Sequence, residues 1–283
     1  EEELRALRNL LMDQETPDFH KFFMKGQHDV LLTTNPIHRE VVKRMITRGE
    51  SKLHPLGVCV RTDSLEEILA LRTYREMLFI ISNGGLLEAE PGNVAEALMA
   101  SGLIQLLDDL HEGDGAYYFR VECKHPMELS KRSAFCRKLA AQLERTSQGR
   151  LINSTSHYEV EIRLIANKEG KFLAALKCYT CQDSRFAYRK NAIASSIHPS
   201  TAALIMELAK PYLRTDAQIM DPFCGVGTML MERNIAVAAR EIYATDIFGD
   251  AISYGRENAD LAKCNVHFIH RDFFDFYHAY LFD

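Results

Sequence analysis

The sequence predicts an α/β protein in which small α+β units precede a doubly wound parallel sheet. Strands and helices of ordinary size alternate along most of the chain, as they do in such folds. Near the C-terminus three apolar strands each end in an aspartate, and these residues (Asp221, Asp246 and Asp272) are 25 and 26 positions apart. That spacing is one β-α step of a parallel sheet. With 283 residues, 47% hydrophobic and 26% charged, the chain is long enough for two or three globular domains.

The N-terminal part is predicted to form a helical extension, residues 1–26, and a ferredoxin-like domain, residues 27–82. Residues 1–12 alternate charged side chains with leucines, which favours a short amphipathic helix. Beyond it the expected strands are 29–33, 57–60 and 77–82, and the expected helices are 37–46 and 64–71. The polar, glycine-rich stretch 82–85 predicts the end of this domain.

A second domain, residues 83–181, is predicted to hold most of the positive charge. Its expected helices are 94–107 and 130–143, and its expected strands are 117–122, 158–165 and 172–180, the last two joined by a hairpin turn at 167–170. Residues 116–190 contain fifteen Lys and Arg against seven Asp and Glu, whereas the rest of the chain contains 19 against 32.

This local excess of positive charge has the form of a phosphate-binding surface. A solvated face of lysines and arginines explains it equally well. The excess lies on a helix and strands of one module, which favours a binding surface over a flexible tail. The four basic residues expected on the helix are Lys131, Arg132, Arg137 and Lys138.

The last part of the chain is predicted to be a linker, residues 182–199, and a partial parallel-sheet domain, residues 200–283. Its first helix is expected to begin near Ser200, with Ser200 or Ser196 as the N-cap, and to end at Tyr212. Three strands (218–220, 242–245 and 266–270) then alternate with two helices (229–238 and 250–263). Strand 218–220 is expected at one edge of a three-stranded sheet. An exposed apolar edge predicts self-association or cover by another segment.

The composition limits the kinds of site and compartment. Seven cysteines, an odd number scattered over a long chain, indicate reduced thiols rather than a disulfide framework. One C-x-x-C, formed by Cys178 and Cys181 in a predicted strand, has no second pair at zinc spacing, so no metal site is expected. No apolar run reaches the length of a membrane span, and the acidic start is not a signal peptide, so a cytoplasmic protein is expected.

The stretch DPFCGVGT, residues 221–228, predicts a ligand-binding loop at the end of strand 218–220. Gly225 and Gly227 let the backbone turn sharply and let a ligand approach closely. A pyrophosphate is disfavoured because Asp221 would repel it and because Leu230 replaces the third glycine of the dinucleotide motif. S-adenosylmethionine, in contrast, carries positive charge that a carboxylate attracts. Its ammonium and sulfonium groups attract Asp221, its ribose hydroxyls suit Asp246, and its adenine amine suits Asp272.

These residues carry a family resemblance. The segments DPFCGVGTMLMERN, YATDIFGDAISYGRENA and HRDFF resemble the class I methyltransferase half of the THUMP-domain RNA methyltransferases, which make N2-methylguanosine in tRNA or 23S rRNA. The approach SSIHPSTAALIMELA and the upstream YYFRVECKHP are similar to segments of the same group. The resemblance covers the chain from about residue 27. It implies ferredoxin-like and THUMP α+β domains followed by a partial Rossmann-like class I methyltransferase domain.

The resemblance also implies roles for individual residues. Gly225 and Gly227 would lie against the methionine part of the cofactor, Asp246 on the ribose and Asp272 near the adenine. His198 would act as a lid over the site. The THUMP-like module would grip the acceptor end of tRNA or a comparable rRNA stem, so the implied partner is RNA rather than DNA.

One departure from the family concerns catalysis. The family's Asn/Asp-Pro-Pro-Tyr/Phe motif, which aligns the guanine amine and stacks on the flipped base, does not occur in residues 1–283. The sequence stops where the strand that carries this motif is expected, so this polypeptide alone is expected to transfer no methyl group. Two alternatives stay open: a non-catalytic RNA-binding protein with a methyltransferase-like scaffold, and a dinucleotide-dependent oxidoreductase, which Asp221 disfavours.

Overall fold

The computed structural model describes residues 18–81 and 86–283. The predicted helix over 1–12 and the predicted boundary at 82–85 lie outside these ranges. The chain divides into two compact units. The N-terminal unit comprises the described residues up to Leu65 and then Glu76–Gln182, and the C-terminal unit comprises Glu66–Arg75 and Asp183–Asp283. The segment Glu66–Arg75, which the sequence places in the ferredoxin-like range, thus belongs to the C-terminal unit. The predicted domain limits stay predictions.

The N-terminal unit is built on one mixed sheet. In chain order its strands are β1 (His28–Thr33), β2 (Glu50–His54), β3 (Gly57–Thr62), β4 (Met77–Ile80), β5 (Tyr117–Lys124), β6 (Leu151–Asn153), β7 (Val160–Ala166) and β8 (Phe172–Cys178). Their order across the sheet is β2-β3-β1-β4-β8-β7-β5-β6. β5 pairs in parallel with β6 and β7, and the other pairs are antiparallel.

Strands from both predicted N-terminal domains meet in this sheet. β4 pairs with β8, with Phe79 opposite Leu176 and Ile80 opposite Ala175. These positions are apolar and β8 is buried along most of its length, so each strand gains a hydrophobic neighbour on both sides. The ferredoxin-like and THUMP assignments therefore stay predictions, since the strands of the two ranges are continuous with each other.

The helices largely follow the predicted pattern. In the N-terminal unit they are α1 (Arg39–Met45), preceded by a 3-10 turn at Pro36–His38, then α3 (Pro91–Ala100), α4 (Leu103–Asp109) and α5 (Leu129–Thr146). The single helix expected over 94–107 is wrong. Gly102 has a φ of 77°, a left-handed conformation that ends one helix and starts the next.

Two strands of the N-terminal unit have no counterpart in the sequence prediction. β2 has the sequence ESKLH and lies at the sheet edge with mostly exposed side chains, so it lacks an apolar alternation. β6 has only three residues, too few to show a strand pattern in the sequence. Its parallel pairing with β5 defines it as a strand. Both lie at opposite ends of the sheet, where burial is least demanding.

The C-terminal unit is a three-stranded parallel sheet with helices, as predicted. Its elements are α2 (Glu66–Ala70), α6 (Pro199–Ala209), a 3-10 turn at Lys210–Tyr212, β9 (Gln218–Asp221), α7 (Thr228–Ala236), β10 (Glu241–Asp246), α8 (Gly249–Ala262), β11 (His267–His270) and a 3-10 turn at Phe273–Asp275. The order is β11-β10-β9, and both pairs are parallel. A core that includes Met231, Ile242 and Phe268 lies between strands and helices.

Strand β9 lies at an edge of this sheet, which confirms the expectation for 218–220. Part of the edge is covered by residues from the end of the sequence. The Asp283 N–H donates to the Gln218 carbonyl at 3.0 Å, and the Gln218 N–H donates to the Asp283 carboxylate at 2.9 Å. Self-association through the rest of this edge stays a prediction. Across residues 18–81 and 86–283, no helix combines the length and the apolar character that crossing a membrane requires.

Candidate functional site

The glycine loop connects β9 to α7 at the carboxyl end of the sheet. Gly225 and Gly227 have φ values of 51° and 75°, a region that favours glycine. A Cβ on Gly227 would lie 3.0 Å from the Met231 side chain and 3.1 Å from the Phe268 ring, so packing also excludes a larger residue there. A Cβ on Gly225 would meet only Ile193, at 3.9 Å. Gly225 therefore leaves space beside the loop, and Gly227 shapes the turn.

Asp246 ties the glycine loop to the next strand. It ends β10, and its Oδ2 accepts a hydrogen bond from the Gly225 N–H at 2.8 Å. Its Oδ1 accepts from the Phe248 N–H at 2.9 Å. The carboxylate is thus held in one orientation while each oxygen keeps a lone pair for a further donor. This bond between two sequence-predicted site residues was not itself predicted.

Asp221 and Asp246 place two like charges near one another. Asp221 ends β9, pairs across the sheet with Ala244 of β10, and accepts a hydrogen bond from the Phe223 N–H at 3.0 Å. Burial raises the pKa of Asp221, and the negative charge of Asp246 raises it further. No cationic side chain of the described residues forms an ion pair with either carboxylate within 4 Å. The pair is an anionic centre that a cationic ligand would stabilise.

Asp272 follows the third strand, β11, at the same carboxyl end of the sheet. Just after β11, the Arg271 N–H donates to the Asp246 carbonyl at 3.1 Å. Asp272 caps the following 3-10 turn, because its Oδ1 accepts from the Phe274 N–H at 3.0 Å. The Phe223 and Phe273 rings lie 5.8 Å apart. The three predicted acids therefore lie at the carboxyl end of the sheet, flanked by exposed aromatic side chains.

Thr228 is a site residue that sequence reasoning missed. It is the first residue of α7, directly after Gly227, and it is 3% exposed. Its Oγ1 is buried and has no hydrogen-bond partner among the residues that the structure describes. A buried hydroxyl usually has a partner, so this one marks a place where a ligand or water belongs. The signal in the sequence was the threonine that follows the Gly-x-Gly.

These features fit S-adenosylmethionine. Gly225 leaves room beside the loop, two carboxylates offer negative charge to a cation, and the buried Thr228 hydroxyl lacks a partner among the described residues. Asp221, Gly225, Gly227, Thr228 and Asp246 would hold the group. Cys224 has no role as a thiolate there, because burial raises the pKa of its thiol to about 12, with Asp221 and Asp246 adding to the effect.

His198 is the N-cap of α6, where Ser200 or Ser196 was expected, so the expected caps are wrong. The His198 Nδ1 lies 3.2 Å from the Ser200 nitrogen, whose N–H it accepts, and 2.7 Å from the Ser200 Oγ. Its ring also meets Phe186 edge-on at 6.3 Å. Imidazole replaces the usual serine because the nitrogen can reach the same backbone donor. A lid role for His198 stays a prediction.

The range predicted as a linker contributes structure to the C-terminal unit. Tyr188 is 6% exposed and donates its hydroxyl proton to Glu232 at 2.7 Å. The Asn191 N–H donates to the Asn258 Oδ1 at 3.0 Å, and the Asn258 amide donates to the Asn191 carbonyl at 2.9 Å. These contacts fix the segment that brings Ile193 beside the glycine loop. The hydrogen-bond partners of residues 188 and 191 lie about 45 to 70 positions later in the chain. The local sequence therefore shows no pattern that would reveal this structure.

Helix α5 carries the predicted basic residues in the N-terminal unit. Its inner side is apolar, with Phe135, Leu139 and Leu143 buried. The exposed ones among the four are Lys131, Arg137 and Lys138, and Arg132 is partly buried. Within the described parts of the chain, none of the four has an acidic partner within salt-bridge distance.

Other basic residues of the positive segment are neutralised by partners. The ion pairs are Arg120–Glu161, Lys124–Glu76, Arg150–Asp108, Arg163–Glu161, Arg163–Glu76, Lys171–Glu88, Lys177–Glu76 and Arg185–Asp183. The charge count of the segment therefore overstates its free positive charge. What remains is concentrated on α5. In the ranges that the structure covers, no group of three or more His, Cys, Asp or Glu is arranged to hold a metal ion.

The fold and site define a doubly wound α/β domain with a glycine loop and acidic strand ends. Residues 187–273 match the family model described as UPF0020, the RMKL-like methyltransferase domain. A search of curated proteins found no match.

Several solved structures share the fold. TrmN from Thermus thermophilus is 22% identical, with a TM-score of 0.58, over 87% of this chain and 74% of that one. A protein described as a predicted N6-adenine-specific DNA methylase from Listeria monocytogenes is 15% identical, with a TM-score of 0.59, over 90% and 77%. A possible methylase from Clostridium difficile is 15% identical, with a TM-score of 0.59, over 90% of this chain and 78% of that one.

The family match supports a methyltransferase. The family model covers the range that contains the glycine loop, Asp246 and Asp272, so the methyltransferase-like match falls on the candidate site, and the predicted domain limits stay predictions. At these identities the structural likeness speaks for the fold alone. The mixed α/β architecture is thereby confirmed.

Proposed function

We propose that this chain carries the cofactor-binding and RNA-binding parts of an S-adenosylmethionine-dependent RNA methyltransferase that acts on guanosine N2 of tRNA or 23S rRNA. The observation that carries the cofactor is the pair Asp221 and Asp246 beside Gly225. Burial and mutual repulsion raise the pKa of Asp221, so the pair favours a ligand that brings positive charge. S-adenosylmethionine brings two such charges, the ammonium and the sulfonium.

The residues of the site bind and orient the ligand rather than react with it. When bound, the cofactor supplies an electrophilic methyl group on its sulfonium. The loop at Gly225 lets the ligand reach the backbone, and the Asp246 carboxylate is already fixed by two backbone donors to receive ribose hydroxyls. Asp272, the remaining acid of this edge, is exposed and suits the adenine amine. A site arranged before binding loses less entropy when the ligand arrives.

A dinucleotide fits the same loop less well. Its pyrophosphate carries negative charge, and the loop already has Asp221 and Asp246 at its mouth. Like charges at close range in a partly buried site cost several-fold in affinity at least. The Asp221 carboxylate therefore separates the methyltransferase proposal from the oxidoreductase alternative.

The proposal of an RNA partner rests on α5. Lys131, Arg137 and Lys138 are exposed, and within the described ranges they have no ion-pair partner, so their charge is free to meet phosphates. Guanosine N2 as the acceptor rests on the family resemblance of the sequence motifs. RNA rather than DNA rests on the same resemblance.

The cofactor test is calorimetric titration of the 283-residue chain with S-adenosylmethionine and, separately, with NAD. We expect binding of the first and none of the second at millimolar concentration. The matched control is Asp260→Asn, which removes one exposed carboxylate from the far end of α8 and should leave the affinity unchanged. Preference for NAD, or equal binding of both, would refute the assignment.

The RNA test compares two charge-neutralising variants. Lys131→Gln with Lys138→Gln should weaken binding to a tRNA transcript and lower the slope of log affinity against log salt by about 1 to 2. Lys43→Gln with Arg44→Gln removes the same charge from the last turn of α1 and should change little. A DNA duplex of equal length is the second arm. Equal losses from both variants would indicate a general attraction to positive charge.

The second candidate is a non-catalytic RNA-binding protein with a methyltransferase-like scaffold, which the exposed basic side chains of α5 suit equally well. This candidate predicts the same RNA binding as our proposal, but no binding of S-adenosylmethionine. RNA binding without any binding of S-adenosylmethionine would therefore select it over our proposal.

A further inference from the structure

A group of aromatic and basic side chains outside α5 lies on one face of the N-terminal sheet. Arg120, Glu161 and Lys177 are directly opposite one another across β5, β7 and β8, so their side chains share that face. Tyr158 comes just before β7, and Tyr179 directly follows β8. We call Arg120, Tyr158, Lys177 and Tyr179 the tyrosine patch.

The rings and cations of the tyrosine patch contact each other. The Arg120 guanidinium carbon lies 4.3 Å from the centre of the Tyr158 ring, and the Lys177 Nζ lies 5.1 Å from the centre of the Tyr179 ring. The two rings are 5.1 Å apart and nearly perpendicular, at 83°. Cations at these distances from ring faces attract the rings. The patch is therefore a surface in which each tyrosine has a cation beside it.

Glu161 holds the tyrosine patch in place from beneath. It is fully buried, and its Oε2 accepts hydrogen bonds from the Arg120 Nε at 2.7 Å and from the Tyr179 hydroxyl at 3.2 Å. Burial raises the pKa of Tyr179 to about 12, and the charge of Glu161 adds to the effect, so the phenol stays neutral at physiological pH. Because cation and ring are fixed before a ligand arrives, binding costs less entropy.

The outer layer of the tyrosine patch is accessible to a ligand. Tyr179 is 43% exposed, and Arg120 and Lys177 are partly exposed, whereas Glu161 is fully buried. The carboxylate therefore lies below the surface, and a ligand meets phenol rings, a guanidinium and an ammonium.

The ion pairs that β5, β7 and β8 form on this face leave positive charge in excess. Their cations share two carboxylates, in the pairs Arg120–Glu161, Arg163–Glu161, Arg163–Glu76, Lys124–Glu76 and Lys177–Glu76. Four cations thus meet two anions, and Glu122, the partly exposed acid of β5 on the same face, leaves an excess of one cation. A ligand with negative charge next to flat rings complements this surface.

The aromatic surface continues along β5. Tyr118 is two residues before Arg120, so it lies on the same face about 7 Å away. The exposed Phe19 ring lies 6.2 Å from the Tyr118 ring. The segment YYFRVECKHP thus presents a ring and a guanidinium to one face of the sheet. Aromatic rings at intervals along a basic surface offer stacking to successive bases.

We propose that the tyrosine patch, together with Phe19 and Tyr118, binds an unpaired segment of RNA by stacking on its bases and contacting its phosphates. In a duplex the base faces are covered by their neighbours, so exposed rings select unpaired nucleotides. The inference rests on RNA as the partner in the proposed function. It adds a second surface, because α5 offers charge to any phosphate backbone, whereas the patch also offers rings to the bases.

The test measures the affinity of the 283-residue chain for two labelled RNAs of equal length, an oligouridylate and a fully paired hairpin, by fluorescence anisotropy. Tyr179→Ala should lower the affinity for oligouridylate by about fivefold or more, since it removes a stacking ring. The affinity for the hairpin should not change. Tyr179→Phe, which keeps the ring, should bind oligouridylate as the unmodified chain does. The loss from Tyr179→Ala should be the same at low and high salt, because stacking releases no counterions.

The matched control is Tyr212→Ala, which removes an exposed tyrosine of the C-terminal unit and should leave both affinities unchanged. Full affinity of Tyr179→Ala for oligouridylate, or an equal loss from the control, would overturn the inference. If the hairpin still bound in that case, RNA binding by the proposed function would stand. Failure of the chain to bind either RNA would remove both.

A cross-linking experiment on the unmodified chain locates the contact without any variant. Oligouridylate that contains 5-iodouridine forms a covalent bond on irradiation with an aromatic ring stacked on it. We expect the cross-link in the tryptic peptides that contain Tyr158 or Tyr179. Cross-links confined to other peptides would contradict the assignment of the tyrosine patch.

Discussion

Two groups of buried or partly buried carboxylates, one in each unit, differ in the neighbours that their charges meet. In the N-terminal unit, Glu161 accepts from Arg120 and Arg163, each at 2.7 Å, and Glu76 accepts from Arg163 at 2.6 Å and from Lys177 at 2.8 Å. Burial alone would raise the pKa of Glu76, but hydrogen bonds from Arg163 and Lys177 lower it to about 2. Burial would likewise raise the pKa of Glu161, but hydrogen bonds from Arg120 and Arg163 lower it.

In the C-terminal unit burial raises the pKa of Asp221, and the neighbouring carboxylate of Asp246 raises the pKa of Asp221 further. The difference separates a charge network that supports the fold from one that awaits a ligand. Glu161 and Glu76 are satisfied by the chain itself, whereas Asp221 and Asp246 repel each other until positive charge arrives. Removing a partner should harm stability in the first group. Removing a charge should harm binding in the second.

The largest effect is expected from Arg163→Met. Arg163 is 4% exposed and bridges two carboxylates, so its loss would leave the fully buried Glu161 short of a partner. The free energy of unfolding in urea should fall by about 3 to 5 kcal/mol. Lys171→Met, which breaks only the exposed pair with Glu88, is the control and should leave the free energy of unfolding nearly unchanged.

Glu76→Gln should change the acid limb of the stability curve. The folded pKa of about 2 lies below the ordinary value of 4.5, so the ionised Glu76 stabilises the fold above pH 4.5, and that stability is lost as pH falls from 4.5 towards 2. The variant should lose about 2 kcal/mol at pH 6 and be less sensitive to pH below 4.5. Urea titrations at pH 6 and pH 3 measure both. An unchanged acid slope would contradict the assignment.

Asp246→Ala should lower the affinity for S-adenosylmethionine by at least about tenfold. The variant removes the acceptors for ribose hydroxyls, each hydrogen bond to a charged group contributing about 1.5 to 3 kcal/mol. It also frees the Gly225 N–H, which loosens the loop. Calorimetry measures the loss, and hydrogen exchange at the loop reports the second effect. Unaltered affinity would place the site elsewhere.

The smallest effect in free energy is expected from Asp221→Asn. Because the folded pKa of Asp221 is raised, its negative charge destabilises the fold at neutral pH, and that cost disappears as pH falls through the raised pKa. The neutral amide should raise the free energy of unfolding at pH 7 by about 0.5 kcal/mol while weakening cofactor binding. If Asp221→Asn lowered the stability and left the binding of S-adenosylmethionine unchanged, Asp221 would support the fold, as Glu161 and Glu76 do, rather than bind a ligand.

Much of the C-terminal unit could be predicted because its elements are local. The acids at 221, 246 and 272 follow apolar strands one β-α step apart, and parallel strands bring their carboxyl ends to one edge. The glycine loop has a recognisable sequence for the same reason. Each of these signals lies within about 25 residues.

The remaining features depend on distant partners. Nothing near Asp246 shows that its carboxylate accepts the Gly225 N–H, and nothing near Thr228 shows that its hydroxyl lacks a partner. The charge count could not separate Arg163, whose charge is used in the fold, from Lys131, whose charge is free. The short edge strands β2 and β6 are defined by pairing rather than by an apolar pattern.

The short segment Glu66–Arg75 has a consequence for the order of folding. It belongs to the C-terminal unit, where Arg72 donates two hydrogen bonds to Glu232 at 2.8 and 2.9 Å across 160 positions of sequence. During synthesis the carboxylate that completes this ion pair emerges long after the arginine. The C-terminal unit therefore closes late, after a long loop has been ordered. A shorter polypeptide that began at residue 183 would carry the 1% exposed Glu232 without its arginine and would fold poorly.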